Sequence, residues 1–415
     1  MLRSYIANFR CSTMQISHDT PQQKEGFFSL FLIFLRLGLT SFGGPVAHLG
    51  YFRTEFVERR HWFDDKAYTD LVALCQFLPG PASSQVGIGI GLSRGGYLGS
   101  LAAWLGFTLP SALLLTLFAL GLSYYDNAVT TGALHGLKIV AAAVVAQAVW
   151  GMAKSFCTDG LKVTLMAASC SILLIIPGIS VQLLILIGAA VIGLLFFKQP
   201  QQNQVSPLNI AISNRAALFF LTVFVVLLFG LPLAAQWFPS TTLSAFDSFY
   251  RSGSLVFGGG HVVLPLLQTE LVNTGMIDKE TFLAGYGATQ AVPGPLFTFA
   301  SFIGASLPGE AGGWLGSLVC LLAMFIPSFL LVFAALPFWE NLRRHSKVQA
   351  ALAAVNAAVV GLLLAALYQP VITSAIFNAQ DFAFCLIAFV ALTQWKQPPW
   401  LVVISCALIG GLLSL

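Results

Sequence analysis

The chain has 415 residues, of which 57% are hydrophobic and 9% charged. Soluble domains carry roughly 25% charged residues, so this composition excludes a soluble globular protein. A formal net charge of +4 without a polybasic block gives no reason to expect nucleic acid as a partner. Seven cysteines, most inside apolar runs and none in a CxxC, read as buried thiols, which excludes a disulfide framework or a cysteine metal cluster.

Residues 1–26 are polar and predict a cytoplasmic N-terminal tail. Apolar runs of about 20 residues, each enough to cross a hydrocarbon core of roughly 30 Å, then recur along the chain. They predict spans near 27–50, 67–92, 96–123, 135–153, 163–177, 180–197, 217–237, 245–265, 281–306, 313–337, 348–368, 380–394 and 400–415. The expected fold is an all-α polytopic membrane protein of about thirteen transmembrane helices, solvated by the lipid bilayer.

The runs are not independent. LRLGLTSFGGPVAH at residues 35–48 is echoed 215 positions later by YRSGSLVFGGGHVV. Arg36 thereby matches Arg251, Gly43 and Gly44 match Gly258 and Gly259, and Glu55 matches Glu270. Gln76-x-x-Pro79-Gly80-Pro81 returns as Gln290-x-x-Pro293-Gly294-Pro295, and Pro110-Ser111 returns as Pro327-Ser328. Matching blocks in one order mark a duplication. The organisation read from it is a first repeat at 27–200, a linker with an extra helix at 201–243, and a second repeat at 244–415. Six spans, one extra and six more would invert the second copy. With the N-terminus in the cytoplasm, thirteen lysines and arginines fall inside and five outside, which favours that orientation.

Each PGP is a helix break, because proline removes a backbone donor and clashes with the preceding turn. Non-helical backbone at membrane depth is tolerated where it is buried in protein or lines a wet cavity. Paired breaks in corresponding places of two repeats point to a transporter site near the midplane. A helix restarting after the break presents free N–H groups and its dipole to an anion. Ser83 and Ser84 would add hydroxyls, and Gln76 and Gln290 amides. The Gly43-Gly44 and Gly258-Gly259 runs read equally as donor-lined concavities or as close helix packing. Arg36 and Arg251, without an acidic partner nearby in either segment, suit an anion better than a cation. Truncating either is expected to abolish transport and leave the fold intact. Glu55 and Glu270 are candidates for proton coupling or plain span-end residues. Asp70, Asp126 and Asp247 read as solvated carboxylates at span ends, and His48 and His261 as satisfied polar residues rather than ligands.

The absence of HExxH, GxSxG and GxxxxGK[ST] motifs argues against an intramembrane enzyme or an ATP-driven pump; no cofactor or metal is expected. A channel stays open as an alternative to a carrier.

LRLGLTSFGGPVAHLGYFRTEFVERRHWFDD, QFLPGPASSQVGIGIGLSRGGYLGSLAAWLGFTLPS, FGGGHVVLPLL and QAVPGPLFTFASFIGA together resemble the chromate ion transporter family in its two-domain form. That resemblance implies efflux of chromate from the cytoplasm across a bacterial inner membrane, conferring resistance, with sulfate as a chemical look-alike. Inward transport of sulfate or another oxyanion is the alternative. A homodimer is a candidate assembly. The family's motif residues fall here on Arg36, Phe42, Gly43, Gly44, Pro45 and the first PGP, and on Phe257, Gly258, Gly259, Gly260 and the second.

Overall fold

The computed structural model describes residues 24–122, 128–197, 212–257, 259–339 and 345–414; Gly258, Asp126 and nearly all of the N-terminal tail lie outside them. No strand occurs among the described residues.

The first repeat opens with α1 (Phe27–Thr40) and α2 (Gly44–Arg53), which runs into a π-helical turn at Thr54–Arg59. It continues with α3 (Asp65–Phe77), α4 (Ala82–Leu122), α5 (Ala128–Phe156), α6 (Gly160–Ile175) and α7 (Ile179–Phe196). The extra helix is α8 (Asn214–Trp237). In the second repeat, α9 (Thr241–Leu255) leads through a 3-10 turn at Gly260–Val262 to α10 (Val263–Leu267). A second π-helical turn follows at Gln268–Val272, in the same place as the first. Then come α11 (Lys279–Thr289), a 3-10 turn at Leu296–Thr298, α12 (Phe299–Ser306) and α13 (Gly313–Ala335). The chain ends with α14 (Ser346–Ala366), α15 (Ala379–Thr393) and α16 (Pro399–Leu413).

Four expected spans are cut in two. The run 27–50 breaks at Ser41–Gly43 and 67–92 at Leu78–Pro81; 245–265 breaks after Leu255 and 281–306 between Thr289 and Leu296. The runs 67–92 and 96–123, in contrast, share α4, which turns at Gly96. Among the described residues, five helices are therefore long and apolar enough to cross a bilayer whole, while six other apolar helices are shorter.

Lipid tails are as apolar as leucine, so burial from water does not hold such helices together; close contact does. Glycine supplies it. A Cβ on Gly38 would sit 2.7 Å from the Phe107 carbonyl oxygen, so α1 lies directly on α4. Its counterpart Gly253 presses α9 onto the Met324 carbonyl of α13 in the same way. The terminal helix pairs are exchanged between repeats. α6 and α7 pack on α14 of the second repeat, with Gly361 against Met166 and Gly193 against Ala350. α15 and α16 pack on α5 of the first, with Gly136 against Cys406 and Gly132 against Gly410. The two repeats thus share one interior rather than forming separate lobes, and the four helix breaks meet inside it.

Candidate substrate site

Each PGP docks on the other repeat. Gly80 has φ +120° and donates its N–H to the Val256 carbonyl at 2.7 Å, at the start of the second repeat's glycine run. Gly294 has φ +101° and donates to the Ser41 carbonyl at 3.0 Å, at the start of the first. A side chain is strained at such φ values, and space is also lacking. A Cβ on Gly80 would meet Gln85 Nε2 at 2.7 Å and Ser328 Oγ at 3.0 Å; one on Gly294 would meet Ser111 Oγ at 2.9 Å and the Phe107 carbonyl at 3.2 Å. Ser41 and Val256, like Ser111 and Ser328, are repeat counterparts. The pair of crossed junctions is therefore symmetric in its contacts.

Beside the Ser41–Gly294 junction lies a cavity of about 170 Å³. Gly43 and Gly44 of the first repeat face Gln290, Gly294, Thr289 and His261 of the second, and α5 contributes Gln147. A water occupies about 30 Å³ of liquid, so the space suits a small ion with a few waters. Gly43 and Gly44 both have positive φ, at +100° and +76°, and open α2. Gln290 is 9% exposed and its Nε2 has no hydrogen-bond partner. A buried amide donor without an acceptor costs about 1–3 kcal/mol, which a bound acceptor would recover. Thr289 Oγ1 donates to the Gly285 carbonyl at 2.8 Å, and Gln147 Nε2 to the Leu392 carbonyl at 3.3 Å. His261 Nδ1 lies 2.7 Å from the Tyr286 hydroxyl. The lining contains no carboxylate and no fixed cation. It is a donor-bearing pocket with no Asp, Glu, Lys or Arg in its lining.

The first-repeat break carries the other expected group. Pro81 leads into α4, and Ser83 and Ser84 are buried in its first turn. Gln85 Nε2 donates to the Pro79 carbonyl at 2.7 Å and caps the break from within. His48 Nδ1 lies 3.4 Å from Ser83 Oγ; His48 Nε2, Ser84 Oγ and Ser41 Oγ are buried without partners. Three orphaned polar atoms in one neighbourhood make this a second polar locus. After Pro293-Gly294-Pro295 the restart differs: Phe297 and Thr298 replace the serines, and Thr298 Oγ1 turns back to the Pro295 carbonyl at 2.7 Å.

Several expected groupings are not assembled. Gln76 is exposed on α3, while its counterpart Gln290 is buried. Gly259 precedes the Gly260–Val262 turn and does not line the cavity. Arg36 is exposed at an open depression that it shares with Thr40, Thr54 and Glu55. Arg251 is not an arginine without an acidic partner. Its Nη2 lies 2.8 Å from Asp247 Oδ2 and 2.9 Å from Glu270 Oε2. Asp247, one helical turn before it, is accordingly a buried ion-pair partner rather than a solvated span-end carboxylate. Glu55 pairs with Arg60 at 2.6 Å and Arg59 at 3.2 Å, and Glu270 also accepts from Ser248 at 3.3 Å. Neither glutamate lines the cavity. His261, Gln147 and Thr289 do line it and were not singled out as ligands. The one sequence signal for them was the adjacency of Thr289 to Gln290 and of His261 to the glycine run.

A polytopic helical membrane protein whose two repeats cross their helix breaks around a polar cavity has the build of a solute transporter. The model of the chromate transporter family matches twice, over residues 28–194 and 243–411, and the chain belongs to that family. It is a multi-pass transporter and not an enzyme. It is 26% identical over 391 residues to an uncharacterized transporter of Methanocaldococcus jannaschii, covering 93% of this chain and 94% of that one. It is 28% identical over 338 residues to a chromate transport protein of Pseudomonas aeruginosa, covering 80% and 78%. The uncharacterized transporter YwrA of Bacillus subtilis, 29% identical over 171 residues, matches 40% of this chain with 94% of its own length. No solved structure matches.

Proposed function

We propose that the protein carries chromate out of the cytoplasm by alternating access, with the cavity between Gly43-Gly44 and Gly294 as the substrate site. The observation that carries this reading is the unpartnered, buried Gln290 amide in a lining free of carboxylates. A tetrahedral dianion would accept from Gln290, from His261 and from the N–H groups opening α2; charge-assisted hydrogen bonds of this kind are each worth about 1.5–3 kcal/mol. The P. aeruginosa relative, named a chromate transport protein, supports chromate as the ligand. Sulfate has the same shape and charge and would compete.

The two junctions act as the two gates. Ser83, Ser84 and His48 at Gly80, with Gly259 opposite, form the half-site that fills when the other gate opens. Arg36 steers anions from outside the cavity, and the Arg251 cluster holds α9 in place. The repeats are inverted with the N-terminus in the cytoplasm, so the exchange of gates reverses the open side. Moving one charge through 100 mV is worth about 2.3 kcal/mol, so a dianion leaving a negative cytoplasm gains roughly twice that. Export then needs no other energy source and would confer chromate resistance.

The test is accumulation of radiolabelled chromate in energised inside-out vesicles, with and without sulfate. Accumulation that collapses with the potential is expected. Uptake confined to right-side-out vesicles would reverse the direction, and no movement in either would refute the proposal.

A further inference from the structure

The cavity holds a histidine whose hydrogen-bonding face is set by its neighbour. Tyr286 is fully buried, and its ring packs edge-on to Phe299 at 5.7 Å between centroids. Among the described residues its hydroxyl has one hydrogen-bond partner, His261 Nδ1 at 2.7 Å. A phenolic proton buried among apolar rings must be donated, and Nδ1 is where it goes. Nδ1 is then an acceptor without a proton, so the imidazole carries its proton on Nε2. Among the described residues that nitrogen has no hydrogen-bond partner, and His261 lines the cavity.

We infer that His261 is a binding residue that selects the ionisation state of the oxyanion, with Tyr286 as the positioning residue that locks its tautomer. This rests on the proposed oxyanion reading of the same cavity. Nε2–H can only donate, and the Gln290 atom left without a partner is its Nε2, also a donor. An oxyanion with four bare oxygens, such as chromate or sulfate, accepts from both. An oxyanion of similar size that keeps a proton, such as hydrogen phosphate, needs an acceptor at one oxygen. No carboxylate lines the cavity to provide a charged acceptor, so a protonated oxyanion is left to the neutral side-chain oxygens of Gln147, Thr289 and Gln290, and the Tyr286 contact keeps the imidazole from joining them. Replacing Tyr286 by phenylalanine frees Nδ1 to take the ring proton. Nε2 then becomes an acceptor in part of the population, and phosphate gains a partner.

The test measures equilibrium binding of radiolabelled sulfate to purified full-length protein at mildly alkaline pH, with unlabelled chromate and phosphate as competitors, beside chromate transport in vesicles. His261→Leu should weaken sulfate and chromate about 10- to 100-fold, the worth of one charge-assisted hydrogen bond. His261→Gln, which restores a donor near the position of Nε2, should recover most of that loss. Tyr286→Phe should keep sulfate binding within a few-fold and admit phosphate as a competitor. Phosphate exclusion unchanged in Tyr286→Phe, or full sulfate affinity in His261→Leu, would overturn the inference. Wild-type protein that binds sulfate and excludes phosphate but moves no chromate would sink the transport reading and leave the assignment of His261 standing.

Discussion

The same arginine and the same glutamate occupy matched positions in the two repeats and are wired differently. In the second repeat Arg251 joins Asp247 and Glu270 in a buried cluster, one arginine between two carboxylates. In the first, Leu32 stands where Asp247 would be, and Arg59 and Arg60 stand where the second repeat has Thr274 and Gly275. Glu55 is taken by those two arginines, and Arg36 is left exposed. Glu55 is thus shared by two arginines in the first repeat, whereas in the second a single arginine is shared by two carboxylates. Duplication preserved the helix path, while a few substitutions divided the labour: one copy keeps a structural clamp, the other an available cation.

The comparison breaks most visibly at those arginines. Removing one member of a buried ion pair costs about 3–5 kcal/mol, because the partners stay buried and unpaired. Arg251→Ala should therefore lower thermal stability in detergent sharply. Arg36→Ala should stay within about 0.5 kcal/mol, as exposed substitutions do, and act on anion uptake alone. Equal melting points for the two would dissolve the distinction, and with it the correction to the expectation that both leave the fold intact.

The crossed junctions come next. Gly80→Ala and Gly294→Ala both place a Cβ at positive φ, about 1–2 kcal/mol each. They diverge in the second contribution, since the Cβ meets the end of the Gln85 side chain in one case and the backbone carbonyl of Phe107 in the other. Gly294→Ala should be the more damaging in both stability and transport. Identical losses would mean that the backbone strain dominates and the neighbours yield.

The smallest effect tests where the repeats agree. Asp64 caps α3 through the Ala67 N–H, and Asp278 caps α11 through the Thr281 N–H, both at 2.7 Å. Asp64→Ala and Asp278→Ala should each cost about 1 kcal/mol. A clear inequality would show that the asymmetry reaches parts whose local geometry is the same.

What could be read from the residues follows from the range of the forces involved. The breaks at Pro79–Pro81 and Pro293–Pro295 were legible, since proline acts on the backbone where it stands, whereas residues 27–50 were expected as one span and the interruption at Ser41–Gly43 was not. The duplication was legible through the spacing of its blocks. That Arg251 faces Asp247 was also within reach, because residues four apart share a helix face; proximity to a span end had suggested a solvated carboxylate instead. The cavity was not legible. Gln147 on α5, Thr289 at the end of α11 and His261 in the turn before α10 meet where α5 of the first repeat packs on α11 of the second, and no local pattern encodes that meeting. Nor does matched sequence ensure matched exposure: Gln76 and Gln290 share a motif, and only one of them reaches the interior.

The crossed hydrogen bonds also impose an order on synthesis. Gly80 enters the membrane long before Val256 has been made, yet among the described residues that carbonyl is the acceptor of its amide proton. Until the second repeat arrives, the first break must be held by water, by lipid headgroups or by an insertion factor. The newborn first half is thus an unfinished part, with its interior face still open to the bilayer. A chain that stopped after one repeat would have to find that face on another molecule, and fusing two copies into one polypeptide makes the search intramolecular.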